Sequence, residues 1–62
     1  MTFAEKVKLL RKKLNISQER LAAQLGVSFS TVNRWEKGRA MPSYLAQEKF
    51  SLFCKNNGVF FD

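Results

Sequence analysis

The chain has 62 residues, of which 26% are charged and 45% hydrophobic, a composition typical of one small folded domain. A domain of this size buries only about 60% of its unfolded surface and has little room for a deep substrate cleft. We therefore expect that the protein is not an enzyme. The net charge of +6 is spread over the chain, with +4 in residues 1–31 and +2 in residues 32–62. Spread positive charge favours a polyanionic partner, either nucleic acid or an anionic membrane, although it can also serve solubility alone.

The residue types that support metal binding and covalent catalysis are scarce. The chain has no histidine and one cysteine, Cys54, which excludes an internal disulfide framework, a Cys/His metal site and a His-based catalytic dyad. We therefore expect no metal, no cofactor and no small-molecule substrate. The residues after Met1 show no signal-peptide pattern, and no run approaches the roughly 20 apolar residues of a membrane span. These features predict a cytoplasmic protein with a reduced cysteine.

Hydrophobic periodicity and capping residues predict four helices in a single domain over residues 1–62. Apolar residues three or four positions apart mark the core side of each helix. Serine ahead of a helix, and Asn or Gly after one, mark its ends. The predicted helices cover residues 3–14, 18–25, 29–37 and 44–55, with N-caps at Ser17 and Ser28 and terminators at Asn15, Gly26 and Gly38.

The first helix is basic as well as amphipathic, and such a helix can lie on anionic lipid. Its apolar stripe is only one residue wide, and the small core needs that stripe. We therefore expect no membrane partner.

The last part of the chain is rich in apolar residues. In the fourth helix Ala46, Phe50 and Phe53 form one apolar row, with Leu45 and Leu52 predicted beside it, and Cys54 is expected to pack next to this row. The tail from Val59 to Asp62 carries two phenylalanines. It either folds back over the core or forms an interface.

A helical projection divides the third helix into two sides. With about 100° per residue, Val32 and Trp35 fall together and predict the buried side. Ser30, Asn33 and Arg34 fall opposite, and Phe29 lies at the edge. The Trp35 ring is therefore expected in the core rather than stacked on a base.

Two short helices joined by a Gly-containing turn, in a basic domain, match the description of a helix-turn-helix over about residues 17–37. The chain resembles the phage-repressor and Cro-like (XRE) helix-turn-helix family over roughly residues 3–55. This resemblance implies an all-α, compact four-helix lambda-repressor-like domain, here with a short apolar C-terminal tail, that binds double-stranded DNA and regulates transcription. The resembling residues are Leu10-Arg11, Ser17-Gln18, Leu21-Ala22, Leu25-Gly26-Val27-Ser28, Thr31-Val32, Trp35-Glu36, Gly38 and Pro42.

The resemblance implies that the helix from Phe29 enters the major groove while the helix from Gln18 crosses the DNA backbone. Arg34 can donate two hydrogen bonds to guanine, and Asn33 can pair with adenine or bond a phosphate. Ser30 can reach a base edge or a phosphate. Phe29 has two roles open to it, contact with a thymine methyl or packing as a staple on the protein surface. The predicted base contacts are Phe29, Ser30, Asn33 and Arg34.

Phosphate contacts are predicted around the same motif. Gln18 resembles the family glutamine that bonds a phosphate and touches the recognition helix, and helix N-termini bind phosphate through free amides. Arg11 and Glu36 resemble the family's partly buried ion pair, which would orient the recognition helix. The predicted phosphate contacts are Ser17, Gln18, Ser28, Lys37 and Arg39.

The family pattern commonly includes a fifth helix that helps dimerisation, and here the sequence ends soon after Gly58. Useful specificity would come from a symmetric homodimer reading half-sites about 34 Å apart. The sequence leaves open whether that dimer forms in solution, only on DNA, or not at all. An alternative function on the same fold is a protein-interaction module, antitoxin-like or an anti-repressor partner, that uses Phe60 and Phe61. The resemblance to phage repressors implies a prokaryotic or phage-type protein, associated with the nucleoid when bound to DNA.

Overall fold

In a computed structural model that describes residues 1–61, the chain forms four α-helices and no strand. The helices are α1 (Phe3–Leu14), α2 (Gln18–Leu25), α3 (Phe29–Glu36) and α4 (Tyr44–Asn56). The all-α prediction is confirmed: α1 and α2 have the predicted bounds, α3 ends one residue earlier and α4 one residue later. Among these four helices none has the length and hydropathy to span a bilayer. Asp62, the last residue of the predicted tail, lies outside the described residues.

Each helix begins at a hydroxyl side chain that accepts a hydrogen bond from a first-turn amide. Ser17 and Ser28 are N-caps as predicted, accepting from the amides of Arg20 and Thr31. Thr2 caps α1 and shares a capping box with Glu5, whose carboxylate accepts from the Thr2 amide at 2.8 Å. We did not predict that box, although Thr followed three residues later by Glu is its sequence signature.

Helices α1 and α2 each end in a left-handed residue that reverses the chain direction. Asn15 has φ 54° and Gly26 has φ 69°, as predicted for helix terminators. The next residue donates back across the last turn: Ile16 N–H to Arg11 O at 3.0 Å and Val27 N–H to Ala22 O at 3.0 Å. These bonds fix the angles at which α2 and α3 leave their preceding helices.

One hydrophobic core joins all four helices. Val32 and Trp35 are buried as predicted, and the Phe3 ring meets the Trp35 ring edge-on at 5.3 Å. The same Phe3 ring meets Phe50 of α4 at 5.1 Å. The buried core residues are Val7, Leu10, Leu21, Ala22, Leu25, Val32, Trp35, Phe50, Cys54 and Val59.

The predicted packing of α4 was wrong at two positions. Leu45 and Leu52 are 62% and 58% exposed rather than packed beside the apolar row. The helix buries Phe50 and Cys54, and the two leucines project about 140° and 160° away from Phe50 on the helical wheel. Burial raises the pKa of the Cys54 thiol to about 11, so little thiolate is present at neutral pH.

The apolar tail folds back over the core at two of its three described residues. Val59 is buried, and the Phe61 ring stacks on Phe50 with centroids 6.4 Å apart. Lys6 Nζ lies 6.0 Å from the centre of the Phe61 ring, within cation–π distance. Phe60 points outward and is 71% exposed. Residues 59 to 61 therefore point alternately toward the core and toward solvent, as in an extended segment that lies across the core like a strap.

Replacing Phe61 by alanine should destabilise the domain, because the ring covers Phe50. Full burial of a phenylalanine contributes about 3–5 kcal/mol, so for this half-buried ring we expect the free energy of unfolding to fall by about 1–2 kcal/mol. Phe60→Ala is the matched control and should change it by less than about 0.5 kcal/mol. Urea unfolding monitored by Trp35 fluorescence measures both. Equal effects from the two variants would contradict the strap geometry.

Candidate nucleic-acid interface

The turn Gly26-Val27-Ser28 joins α2 to α3 and leaves one side of α3 open to solvent. Because α3 buries Val32, Trp35 and Glu36 against the core, its other side projects outward. Ser30 and Arg34 are exposed there, and Phe29 at the start of the helix is 50% exposed. The exposed side thus presents one cation, one hydroxyl and one aromatic ring.

Asn33 does not project freely as the helical wheel predicted. It is half-buried, and its Nδ2 donates to Gln18 Oε1 at 3.1 Å. The projection treated α3 alone, whereas the first turn of α2 passes beside this position and supplies an acceptor. Asn33 therefore faces the junction between α2 and α3.

The carboxylate of Glu36 is the centre of a polar network that links three helices. Arg11 of α1 binds it through two nitrogens, Nε to Oε2 at 2.5 Å and Nη2 to Oε1 at 2.9 Å. Gln18 of α2 donates its Nε2 to Oε1 at 3.1 Å. Arg11 Nη1 also donates to the Ile16 carbonyl at 3.2 Å. The sequence prediction paired Arg11 with Glu36, and the structure brings the two together and adds Gln18 and Asn33 to them.

Glu36 lies in an unfavourable place for an acid, since it ends α3 where the helix dipole favours cations. Its side chain is only 7% exposed. Burial alone would raise the pKa of the Glu36 carboxyl, but the hydrogen bonds from Arg11 and Gln18 outweigh burial and hold the pKa below its ordinary value. The carboxylate is therefore charged at neutral pH, and its attraction to Arg11 fixes α3 against α1.

The serines predicted to contact phosphate surround the α2–α3 unit and also act as helix caps. Ser17 Oγ accepts from the Arg20 amide at 3.0 Å. Ser28 Oγ accepts from the Thr31 amide at 3.1 Å and lies 2.8 Å from the Thr31 hydroxyl. The sequence prediction missed Thr31 as the partner of Ser28, although a hydroxyl residue three positions after an N-cap indicates it.

The amide and cations predicted to contact phosphate also adjoin this unit. Gln18 Nε2 keeps a second N–H after bonding Glu36. Lys37 and Arg39 are exposed at the end of α3, where the Arg39 amide donates to the Arg34 carbonyl at 2.9 Å and anchors the loop. The arrangement groups donors and positive charge around one exposed helix face, which suits an anionic, grooved partner.

The Glu36 network predicts an acid-sensitive contribution to stability. Because the folded pKa lies below the ordinary value of 4.5, this contribution is complete above about pH 4.5 and is lost as the pH falls through the folded-state pKa. At neutral pH, Glu36→Gln should lower the free energy of unfolding by about 1–3 kcal/mol, since it leaves Arg11 without its charged partner. The difference in the free energy of unfolding between wild type and variant should shrink as the pH falls below 4.5.

Urea unfolding at several pH values measures that difference. Hydrogen bonds from Thr2 lower the pKa of the Glu5 carboxyl, so Glu5 also makes stability depend on pH. Because Glu5 is present in both proteins, subtracting the variant's free energy of unfolding from that of wild type removes its contribution. A difference that does not change with pH would contradict the role of Glu36.

Comparison of the sequence with known proteins identifies the same two helices and turn as part of a known motif. A family model described as Helix-turn-helix matches residues 7–46, which include α2, the turn and α3. The HTH-type transcriptional activator BcrR of Enterococcus faecalis is 40% identical over 53 residues, which are 86% of this chain and 26% of that protein. The chain thus spans about a quarter of the length of this relative, and no solved structure gives a significant match. The chain belongs to the XRE-type helix-turn-helix family of DNA-binding domains.

Proposed function

We propose that this domain regulates transcription by binding a specific sequence of double-stranded DNA, with α3 in the major groove and α2 across the backbone. The observation that carries this proposal is the exposed side of α3, where Ser30 and Arg34 project from a helix fixed by the Glu36 network. A major groove about 12 Å wide admits an α-helix. The family membership and the activator named above support the same function.

Base recognition is assigned chiefly to Arg34. A guanidinium on an exposed helix face can donate two parallel hydrogen bonds to guanine O6 and N7. Ser30 lies four residues earlier, one turn along the same face, and can reach a neighbouring base edge or a phosphate. The half-exposed Phe29 ring at the N-terminal end of α3 is available for a thymine methyl.

Asn33 and Gln18 have a different assignment, because they already bond each other. We infer that they act as a unit at the junction of α2 and α3. Gln18 donates its remaining N–H to a phosphate, and the hydrogen bond from Asn33 fixes the orientation of the Gln18 amide. The Asn33 carbonyl oxygen is the atom of this pair that best suits a donor on a base. Ser17, Ser28, Lys37 and Arg39 complete the set of proposed phosphate contacts.

Binding-site selection from a random duplex pool tests the function directly. The proposal predicts enrichment of a short motif and a steep fall of affinity with salt, as expected when phosphates are neutralised by cations. A pool that shows no enrichment would contradict sequence-specific binding. A two-fold repeat in the selected sites would indicate that two copies bind together.

Two arginine variants separate base reading from backbone binding. Arg34→Ala should lose about 1–3 kcal/mol of discrimination at one base pair and relax the preference there. Arg39→Ala should weaken binding to all sequences alike and reduce the salt slope by about 1. Fluorescence anisotropy with the selected site and single-base variants of it, at several salt concentrations, measures both effects. If Arg34→Ala left the base preference and the affinity unchanged, the assignment of α3 as the recognition helix would be wrong.

A further inference from the structure

A cleft between α1, α4 and the tail lies apart from the exposed side of α3. Its volume is about 320 Å³, and none of its lining residues belongs to α2 or α3. Two of them are lysines, Lys6 of α1 and Lys55 of α4, and none of the described residues that line it is acidic. The proposed DNA site uses neither lysine, so the charge of the cleft has another explanation.

The walls of the cleft are mainly aromatic. Phe3 and Phe50 meet edge-on at 5.1 Å, and Phe61 stacks on Phe50. The lining residues from α4 recur at positions 47, 50, 51, 54 and 55, which is the spacing of one helix face. Phe60 stands at the rim and is 71% exposed. Such walls suit a flat apolar ligand, because aromatic rings pair favourably in edge-on and offset-stacked arrangements.

Lys6 directs its charge to the cleft and away from the DNA site. Its Nζ lies 6.0 Å from the centre of the Phe61 ring. Burial raises the pKa of the Cys54 thiol and the charge of Lys6 opposes that rise, so the ammonium lies near this buried wall residue. On the helical wheel Lys6 projects about 140° away from Arg11, which binds Glu36. The helix dipole does not explain a cation here, near the N-terminal end of α1.

Lys55 adds a second cation to the cleft from the last turn of α4. Gln47 and Ser51 of the same helix also line the cleft and are exposed, so both can donate hydrogen bonds to a bound anion. Hydrogen bonds between an ammonium and a carboxylate are stronger than those between neutral groups. Aromatic walls with a few convergent donors therefore match a ligand that has one flat apolar body and one carboxylate.

We propose that this cleft binds a small aromatic carboxylate, whose ring packs against the phenylalanines while its carboxylate pairs with Lys6 and Lys55. The inference goes beyond DNA binding and does not depend on it. A volume of about 320 Å³ lies at the lower end of the range for small-molecule sites. It is too small for a protein partner, which needs a surface of roughly 800 Å². Because the cleft is partly open to solvent, we expect a Kd of about 0.1–1 mM.

An NMR titration of the ¹⁵N-labelled protein with 2-naphthoate tests this site without DNA. The amide signals of the cleft residues should shift and saturate, whereas those of Ser30 and Arg34 should not move. The neutral isostere 2-naphthamide has the same ring system and no charge. It should bind about tenfold more weakly, because it forms no ion pair with the lysines.

Lysine variants identify the groups that bind the carboxylate. Lys6→Gln and Lys55→Gln should each weaken naphthoate binding by about three- to fivefold, as expected for partly exposed ion pairs. The double variant should bind naphthoate and naphthamide alike. Lys12→Gln on α1 and Lys49→Gln on α4 remove the same charge at exposed positions outside the cleft. These controls should change the affinity by less than about 1.5-fold, because salt screens distant charges.

Replacing Phe60 by alanine separates contact with the ligand from an effect on folding. Its ring is exposed, so the melting temperature should stay near that of wild type, but the rim loses one aromatic wall. Naphthoate and naphthamide should therefore both bind at least about threefold more weakly. Leu45→Ala is the matched control, since Leu45 is 62% exposed and does not line the cleft, and it should leave both affinities unchanged.

Four outcomes would overturn the proposal. The first is the absence of saturable shifts up to about 10 mM naphthoate, ten times the weakest expected Kd. The second is equal affinity for naphthoate and naphthamide in the wild-type protein. The third is an equal effect of the cleft lysines and the control lysines. The fourth is movement of the cleft signals when the free protein is diluted, which would show that a second copy occupies the cleft. Naphthoate binding by a protein that binds no duplex would overturn the proposed function alone.

Discussion

The orientation of α3 depends on one buried carboxylate. Glu36 ends a short helix where an acid is unfavourable, yet it is charged because Arg11 and Gln18 both donate to it. A domain this small has a limited core, and α3 has only eight residues with which to contact it. The hydrogen bonds to Glu36 are directional, and they therefore restrict the orientation of α3 more than the hydrophobic contacts of Val32 and Trp35 alone would. The net contribution of these bonds to stability is modest because desolvation offsets the attraction, and their main effect is to orient α3.

The same network connects the core to the surface that we assign to DNA. Gln18 bonds Glu36 with one end of its amide and Asn33 with the other. A phosphate bound by Gln18 would therefore contact a side chain already held by two neighbours, which lowers the entropy lost on binding. At the other end of α1, Phe3, Phe50 and Phe61 form a row of rings that holds the start of the helix. Polar and aromatic contacts thus hold α1 from opposite ends.

Local sequence signals predicted most of the fold and the exposed positions of Ser30 and Arg34 in the candidate site. Ser17 and Ser28 as caps, and Asn15 and Gly26 as terminators, each act within one helical turn, so their sequence neighbours determine them. Asn33 and Leu52 show where such signals are insufficient. The surroundings of Asn33 depend on Gln18, fifteen residues earlier, and those of Leu52 depend on which side of α4 meets α2. A helical wheel gives relative directions within one helix, whereas tertiary packing decides which direction is inward.

An NMR titration of the ¹⁵N-labelled protein with a selected DNA duplex tests the central claim most directly. The claim is that α3, held by the Glu36 network, presents Ser30 and Arg34 to the DNA. It predicts the largest chemical-shift changes on the exposed side of α3, at the Gln18 side-chain amide and in the loop that carries Arg39. Signals of the core residues Val7 and Leu10 should change little. Changes concentrated on α1 or α4, with those of Ser30 and Arg34 unaffected, would contradict the account.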